Sequence, residues 1–376
     1  MRTHLINLFS LMLFICSCVS EFIPVIEEEK ELLVVEGIIT DQPGTNTIKL
    51  SKSLPLGEKS SARPVTGCGV KIMDDLGNVY NLREEEAGTY VTDSASFKGE
   101  IGRFYTLQIA ANEVNNNLNY ESIPMEMKPV PPIDSIYYEK TIIEEAYGFY
   151  QGIDGCQIYL DTHDPENICR FFRWEYSESW VLRLLFPVDN IKCWISDSSE
   201  SINIKSTAAF AESRIKHHPV NYISNVTDRL KTKYSISVNQ FSLNEDEYTY
   251  WEKLQKLTDE VGGLYDIIPS SIQSNLMCIE DPNERVLGYF SVSARSSKRI
   301  FIESDFEGII NRYDECPTDT IYGDYDPPEL YLSLWVLIDH PPSFGSPRTR
   351  VLTNDKGCAD CTVRGTTKRP DFWVGE

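Results

Sequence analysis

GVKIMDDLGNVYNLRE, residues 69–84, places two alternating runs on either side of Asp74-Asp75-Leu76-Gly77-Asn78. A period of two marks a strand with one face in a core. The Asp, Gly and Asn at the centre are the residues that tight reversals use. The stretch therefore predicts a β-hairpin. The same pattern continues in both directions. Upstream lie LLVVEGIIT (32–40), a turn at Asp41-Gln42-Pro43-Gly44, and NTIKLSKS, where Ile48 and Leu50 face one way and Lys49 and Ser51 the other. Downstream lie GTYVTDS, GRFYTLQIAA and YESIPMEM. Short strands with turns about every 10 residues predict an immunoglobulin-like antiparallel β-sandwich over residues 32–127.

Residues 128–135 are a stiff linker, since three of the four residues from Pro129 to Pro132 are proline. The larger part, 136–376, is again strand-rich, with SIYYEK, GCQIYLDTHD, CRFFRWEYSES, YSISVNQFSL, VLGYFSVSA and YLSLWVLID. One helix interrupts it near 244–261. Asn244 is an N-cap residue, and Glu247 three positions on completes a capping box. Leu243 and Tyr248 form a hydrophobic staple around it. Tyr248, Trp251, Leu254, Leu257 and Val261 recur at helical spacing, as a stripe expected to pack on a sheet. Gly262-Gly263 ends the helix. The fold class is thus mainly β, a sandwich followed by a larger β-rich domain with one helix.

The amino end carries Arg2 and then an apolar run from Leu5 to Ile15, too short for a spanning helix. This is the layout of an export signal. It closes on Ile15-Cys16-Ser17-Cys18, which resembles a bacterial lipobox. Residues 1–17 are expected to be the signal, Cys18 the site of lipid attachment, and 18–31 a tether. Acyl chains contribute about 0.8 kcal/mol per buried CH₂, so several anchor a protein firmly.

The net charge of −22 argues against nucleic acid as a partner and against electrostatic adhesion to anionic lipid. Eight cysteines follow Cys18, at 68, 156, 169, 193, 278, 316, 358 and 361. An exported chain meets an oxidising compartment, where disulfides persist. Cys358 and Cys361 form a CxxC whose readings are a structural disulfide, half a metal site or a redox pair. A glycine-rich setting without a βαβ pattern favours the structural role. His217-His218 reads as a surface loop. Asp161, His163, Asp164 and Glu166 read as a turn between strands rather than a cation site. No nucleophile elbow, phosphate loop, zinc-protease motif or dinucleotide fingerprint occurs. The expectation is a protein that is not an enzyme, with no cofactor.

Several blocks resemble a family of uncharacterised lipoproteins of the Bacteroidetes, classed as a domain of unknown function. They are LLVVEGIITDQPG (32–44), GRFYTLQIA (102–110), VPPIDSIYYE (130–139), YWEKLQKLTDEVGGLYDIIPSSIQSNL (250–276), VLGYFSVSA (286–294) and the terminal CADC…KRPDFW (358–373). Such proteins are typically encoded beside TonB-dependent outer-membrane receptors. The resemblance implies an outer-membrane lipoprotein, with Glu21 and Glu27 to Glu29 favouring the extracellular face. It further implies an accessory or ligand-binding partner of such a receptor in nutrient uptake, its ligand unnamed. The alternatives are a structural or adhesive surface protein and, less favoured, a hydrolase.

Overall fold

The computed structural model describes residues 31–53, 63–113, 116–143, 153–260, 272–303, 306–311, 313, 316–323 and 334–375. The expected export signal, Cys18 and nearly all of the expected tether lie outside the described residues, as do Gly262-Gly263.

The 69–84 hairpin forms as expected. Strands Gly69–Asp74 and Val79–Asn81 pair antiparallel. Asp74 builds the turn, its Oδ1 accepting from the N–H groups of Leu76 and Asn78 at 3.0 and 2.9 Å. Gly77 takes a φ of 85°, which the turn requires and glycine reaches without strain. Two six-stranded sheets pack around Val35, Ile48, Leu50, Ile72, Leu107 and Phe290. Alternation supplies this core: Val35, Ile48 and Leu50 are buried, and Lys49 between the latter two is exposed.

The sandwich is not made of residues 32–127 alone. Leu33–Ile39 pairs in parallel with Val286–Val292, from Leu33 beside Val286 to Ile39 beside Val292. Leu276–Cys278 extends the other sheet against Asn116–Ser122. The segment VLGYFSVSA, read as part of the larger domain, thus belongs to the first body. An extended strand makes its hydrogen bonds with whatever neighbour the tertiary fold brings, and no local pattern names that neighbour.

In the second body, Ile133–Ile143, Ile153–Asp164 and Ser213–Ser224 form one sheet. Phe171–Arg183 and Tyr234–Ser242 lie at the centre of a five-stranded sheet with Lys192–Ser198, Asn203–Ser206 and Arg295–Ile302. Their facing residues, among them Ile158, Leu160, Phe172, Trp174, Ile236 and Val238, fill one core. A third, small sheet joins Asp319–Tyr322, Thr349–Thr353 and Trp335–His340.

The helix spans Glu245–Glu260. Leu243 and Tyr248 share a cluster with Phe171, Phe241 and Ile204, so the staple forms. A second helical turn, Lys356–Ala359, begins at Asp355, whose Oδ1 accepts from Gly357 N–H. The terminal segment closes the domain through Trp373, which packs against Val181, Trp194 and Phe301.

Cys358 and Cys361 are not bonded to each other. Cys361 joins Cys193 and Cys358 joins Cys316, each in a disulfide. Three residues of separation let each thiol face a different neighbour. Among the described residues, no three His, Cys, Asp or Glu side chains cluster as metal ligands would.

Candidate functional site

Where the two bodies meet, the helix Glu245–Glu260 lies between the first sandwich and the sheet containing Phe171–Arg183. Two adjoining cavities follow the helix, of about 410 and 400 Å³. Tyr250 and Tyr289 line both, their ring centroids 4.7 Å apart. Burial pushes the Tyr250 hydroxyl up to about 12, so it stays protonated. Pockets of ligand size commonly form at such junctions.

The second cavity is the more chemically built. Ile38, Trp251 and Leu254 make apolar walls, and Lys49 stands on the sandwich side. Arg173 lines it from the strand Phe171–Arg183. Its side chain is only 7% exposed, yet it carries a full charge. The guanidinium carbon lies 4.3 Å from the centroid of Trp251 and 5.2 Å from that of Phe241, both within cation–π range. Nη2 is 2.9 Å from Glu175 Oε1, a carboxylate 46% exposed. Nε has no hydrogen-bond partner among the described residues.

Glu247 explains how the helix accommodates this cation. The residue read as half of a capping box is the one fully buried position among the helix's described side chains. Its Oε1 accepts from Trp251 Nε1 at 3.4 Å, and Oε2 has no partner among the described residues. Burial pushes its carboxyl up to about 7, with Arg173, Ser291 and Trp251 pulling the other way. The Asn244 side chain also turns elsewhere, donating to Glu126 carbonyl at 3.1 Å. The predicted stripe is therefore only partly core: Tyr248 and Trp251 pack against the cluster of Ile204, Phe241 and Leu243, and Trp251 and Leu254 also line the cavity.

A second cleft, of about 390 Å³, is polar and holds Tyr176, Glu178, Asp197, Asn221 and Arg229. Here the polar groups are spent on one another. Glu178 accepts from Arg229 Nε at 2.6 Å, Tyr234 Oη at 2.5 Å and Asn221 Nδ2 at 3.1 Å. Asp197 takes Arg229 Nη2 at 2.9 Å. Such a satisfied network rigidifies a fold.

The motifs singled out in the sequence do not converge. Asp164 caps its own turn, accepting from Glu166, Ile168 and Cys169 N–H groups, which is the turn reading. His163 pairs with Asp134 at 2.6 Å. His217 and His218 sit on the strand Ser213–Ser224 rather than in a loop. His217 occupies a bulge at φ 53° and stacks on Tyr159 at 3.8 Å. His218 points the other way, 4.3 Å from the Trp174 ring, and its Nε2 lies 2.7 Å from Asn203 Oδ1. Burial pushes His218 down to about 4.

Glu247 and His218 make opposite contributions to stability against pH. The folded pKa of Glu247 is above its ordinary 4.5, so the native state holds the extra proton between pH 4.5 and 7, and stability rises as pH falls through that window. The folded pKa of His218 is below its ordinary 6.5, so the unfolded state holds the extra proton and stability falls between 6.5 and 4. The first effect amounts to about 3 kcal/mol at full extent and the second, for a half-buried ring, to less. Glu247→Gln should therefore lose ground against the wild type as pH drops from 7.5 to 4.5 in urea-unfolding midpoints. A gap of the same size at both pH values would mean that Glu247 does not take up its proton in that range.

Arg173 was not legible as a site residue. It sits in an aromatic strand, CRFFRWEYSES, on the face it shares with Phe171 and Glu175, opposite Phe172 and Trp174, where alternation gives no sign of burial. These features define a mainly β protein of two packed bodies with a half-charged cavity at their junction. Residues 19–299 match the family described as a domain of unknown function, DUF4249, and the chain belongs to that family. No curated protein matches it.

Proposed function

We propose that the chain is a lipoprotein of the outer membrane, anchored through Cys18, that binds a small ligand and serves a TonB-dependent receptor in nutrient uptake without itself performing chemistry. The cavity between the two bodies carries the ligand-binding part of this reading. Adjoining spaces of about 400 Å³ lined by aromatic rings and one buried cation suit recognition. The disulfides Cys193–Cys361 and Cys316–Cys358 are in keeping with an exported, oxidising address. The extracellular face and the receptor partnership rest on the sequence resemblance.

The test is purification of the lipidated protein from its native outer membrane, followed by mass spectrometry. The expected result is acylation on Cys18 and a TonB-dependent receptor in equal amount. A protein recovered alone, under conditions that keep other outer-membrane complexes whole, would overturn the accessory role.

A further inference from the structure

We infer that the cavity between the helix Glu245–Glu260 and the strands Phe171–Arg183 and Leu33–Ile39 takes a small carboxylate with an apolar body, held on the Nε–Nη2 edge of Arg173. This deepens the ligand-binding part of the reading above and does not depend on the receptor.

The state of Arg173 and of the walls around it carries the inference. Arg173 is more than nine-tenths buried, lines the cavity, and has an Nε donor that has no partner among the described residues and is closed to solvent while Glu175 stands on Nη2. A buried donor of this kind is strongly disfavoured unless something accepts from it. The Nε–Nη2 edge of a guanidinium is a planar fork that matches the two oxygens of a carboxylate. Glu175 engages only Nη2 and is 46% exposed, so it can swing into solvent when a better-placed carboxylate arrives. The aromatic faces of Trp251 and Phe241 fix the plane of the fork before any ligand binds. Beyond it the cavity is apolar on the sides of Ile38, Trp251 and Leu254, and the facing wall carries one cation and one carboxylate, Lys49 and Glu36. Its volume of about 400 Å³ is at the small end for ligand sites, which favours a free organic acid.

The probes are 3-phenylpropionate and octanoate, each with its primary amide and its amine, titrated into the full chain by calorimetry. Both acids should saturate one site, with the amides at least tenfold weaker and the amines silent. Glu175→Gln should tighten acid binding several-fold by removing the competing carboxylate. Leu254→Trp should abolish binding by filling the cavity, and Arg173→Met should abolish it while unfolding cooperatively. The Glu175 and Leu254 variants keep the test decisive should Arg173→Met fail to fold. Three results would each overturn the inference: no saturable binding of either acid, equal binding of acid and amide, or an affinity unchanged in Glu175→Gln. None of them bears on whether a receptor is recovered with the protein.

Discussion

Cys193→Ala combined with Cys361→Ala should lower the unfolding free energy by about 3–5 kcal/mol, the largest loss expected from any pair of small side chains here. The bond closes a loop of 168 residues. In the chain-entropy account, a longer loop restricts the unfolded ensemble more. Both cysteines are fully buried beside Leu182 and Leu184, so the lost packing adds to the effect. The bond also ties the terminal segment to the strand Lys192–Ser198, where Trp194 and Thr366 exchange backbone hydrogen bonds at 2.8 and 2.9 Å. Cys316→Ala with Cys358→Ala opens a loop of 42 residues and should cost about 1 kcal/mol less. Urea unfolding of the oxidised proteins measures both. Wild-type midpoints in the Cys193/Cys361 pair would refute the claim that this bond holds the terminus.

Gly288→Ala is the second large effect, expected at about 3 kcal/mol or more. Gly288 sits opposite Val35 in the parallel pair. Its φ is 85°, and a Cβ there would lie 2.0 Å from the Val35 carbonyl oxygen. Neither the positive φ nor a backbone atom can give way cheaply. Gly37→Ala is the internal control. Its Cβ would meet Ile48 Cδ1 at 2.2 Å, the end of a side chain that can change rotamer. It should cost about 1–2 kcal/mol. Hydrogen exchange should show the amides of Leu33–Ile39 losing protection in Gly288→Ala alone. Equal loss in the two variants would show that the parallel contact is not what Gly288 serves.

What was readable in advance was local. The 69–84 hairpin has its turn residues within five positions, and Asp74 and Gly77 do the work their types suggest. The helix begins at Glu245, directly after Asn244, and its staple forms. Glu247 shows the limit of such signals. The same spacing that spells a capping box also points a side chain between two sheets, and the packing of Arg173 and Ser291 around it decided the outcome. Arg173, the cysteine partners and the strand that pairs with Leu33–Ile39 are all non-local. Their neighbours lie tens to hundreds of residues away, beyond any periodicity.

The parallel contact between Leu33–Ile39 and Val286–Val292 also sets an order of events. A chain made from its amino end has synthesised the first edge of that pair some 250 residues before its partner exists. Until Cys278 is available Asn116–Ser122 lacks its partner strand, and until Val292 is available Leu33–Ile39 cannot complete its pairing. Contacts of such long sequence separation are slow to form, because loop closure comes before any gain. The first body therefore stays open at this edge until residue 292 has been made, and everything from Ile39 to Val286 folds, or waits, without it.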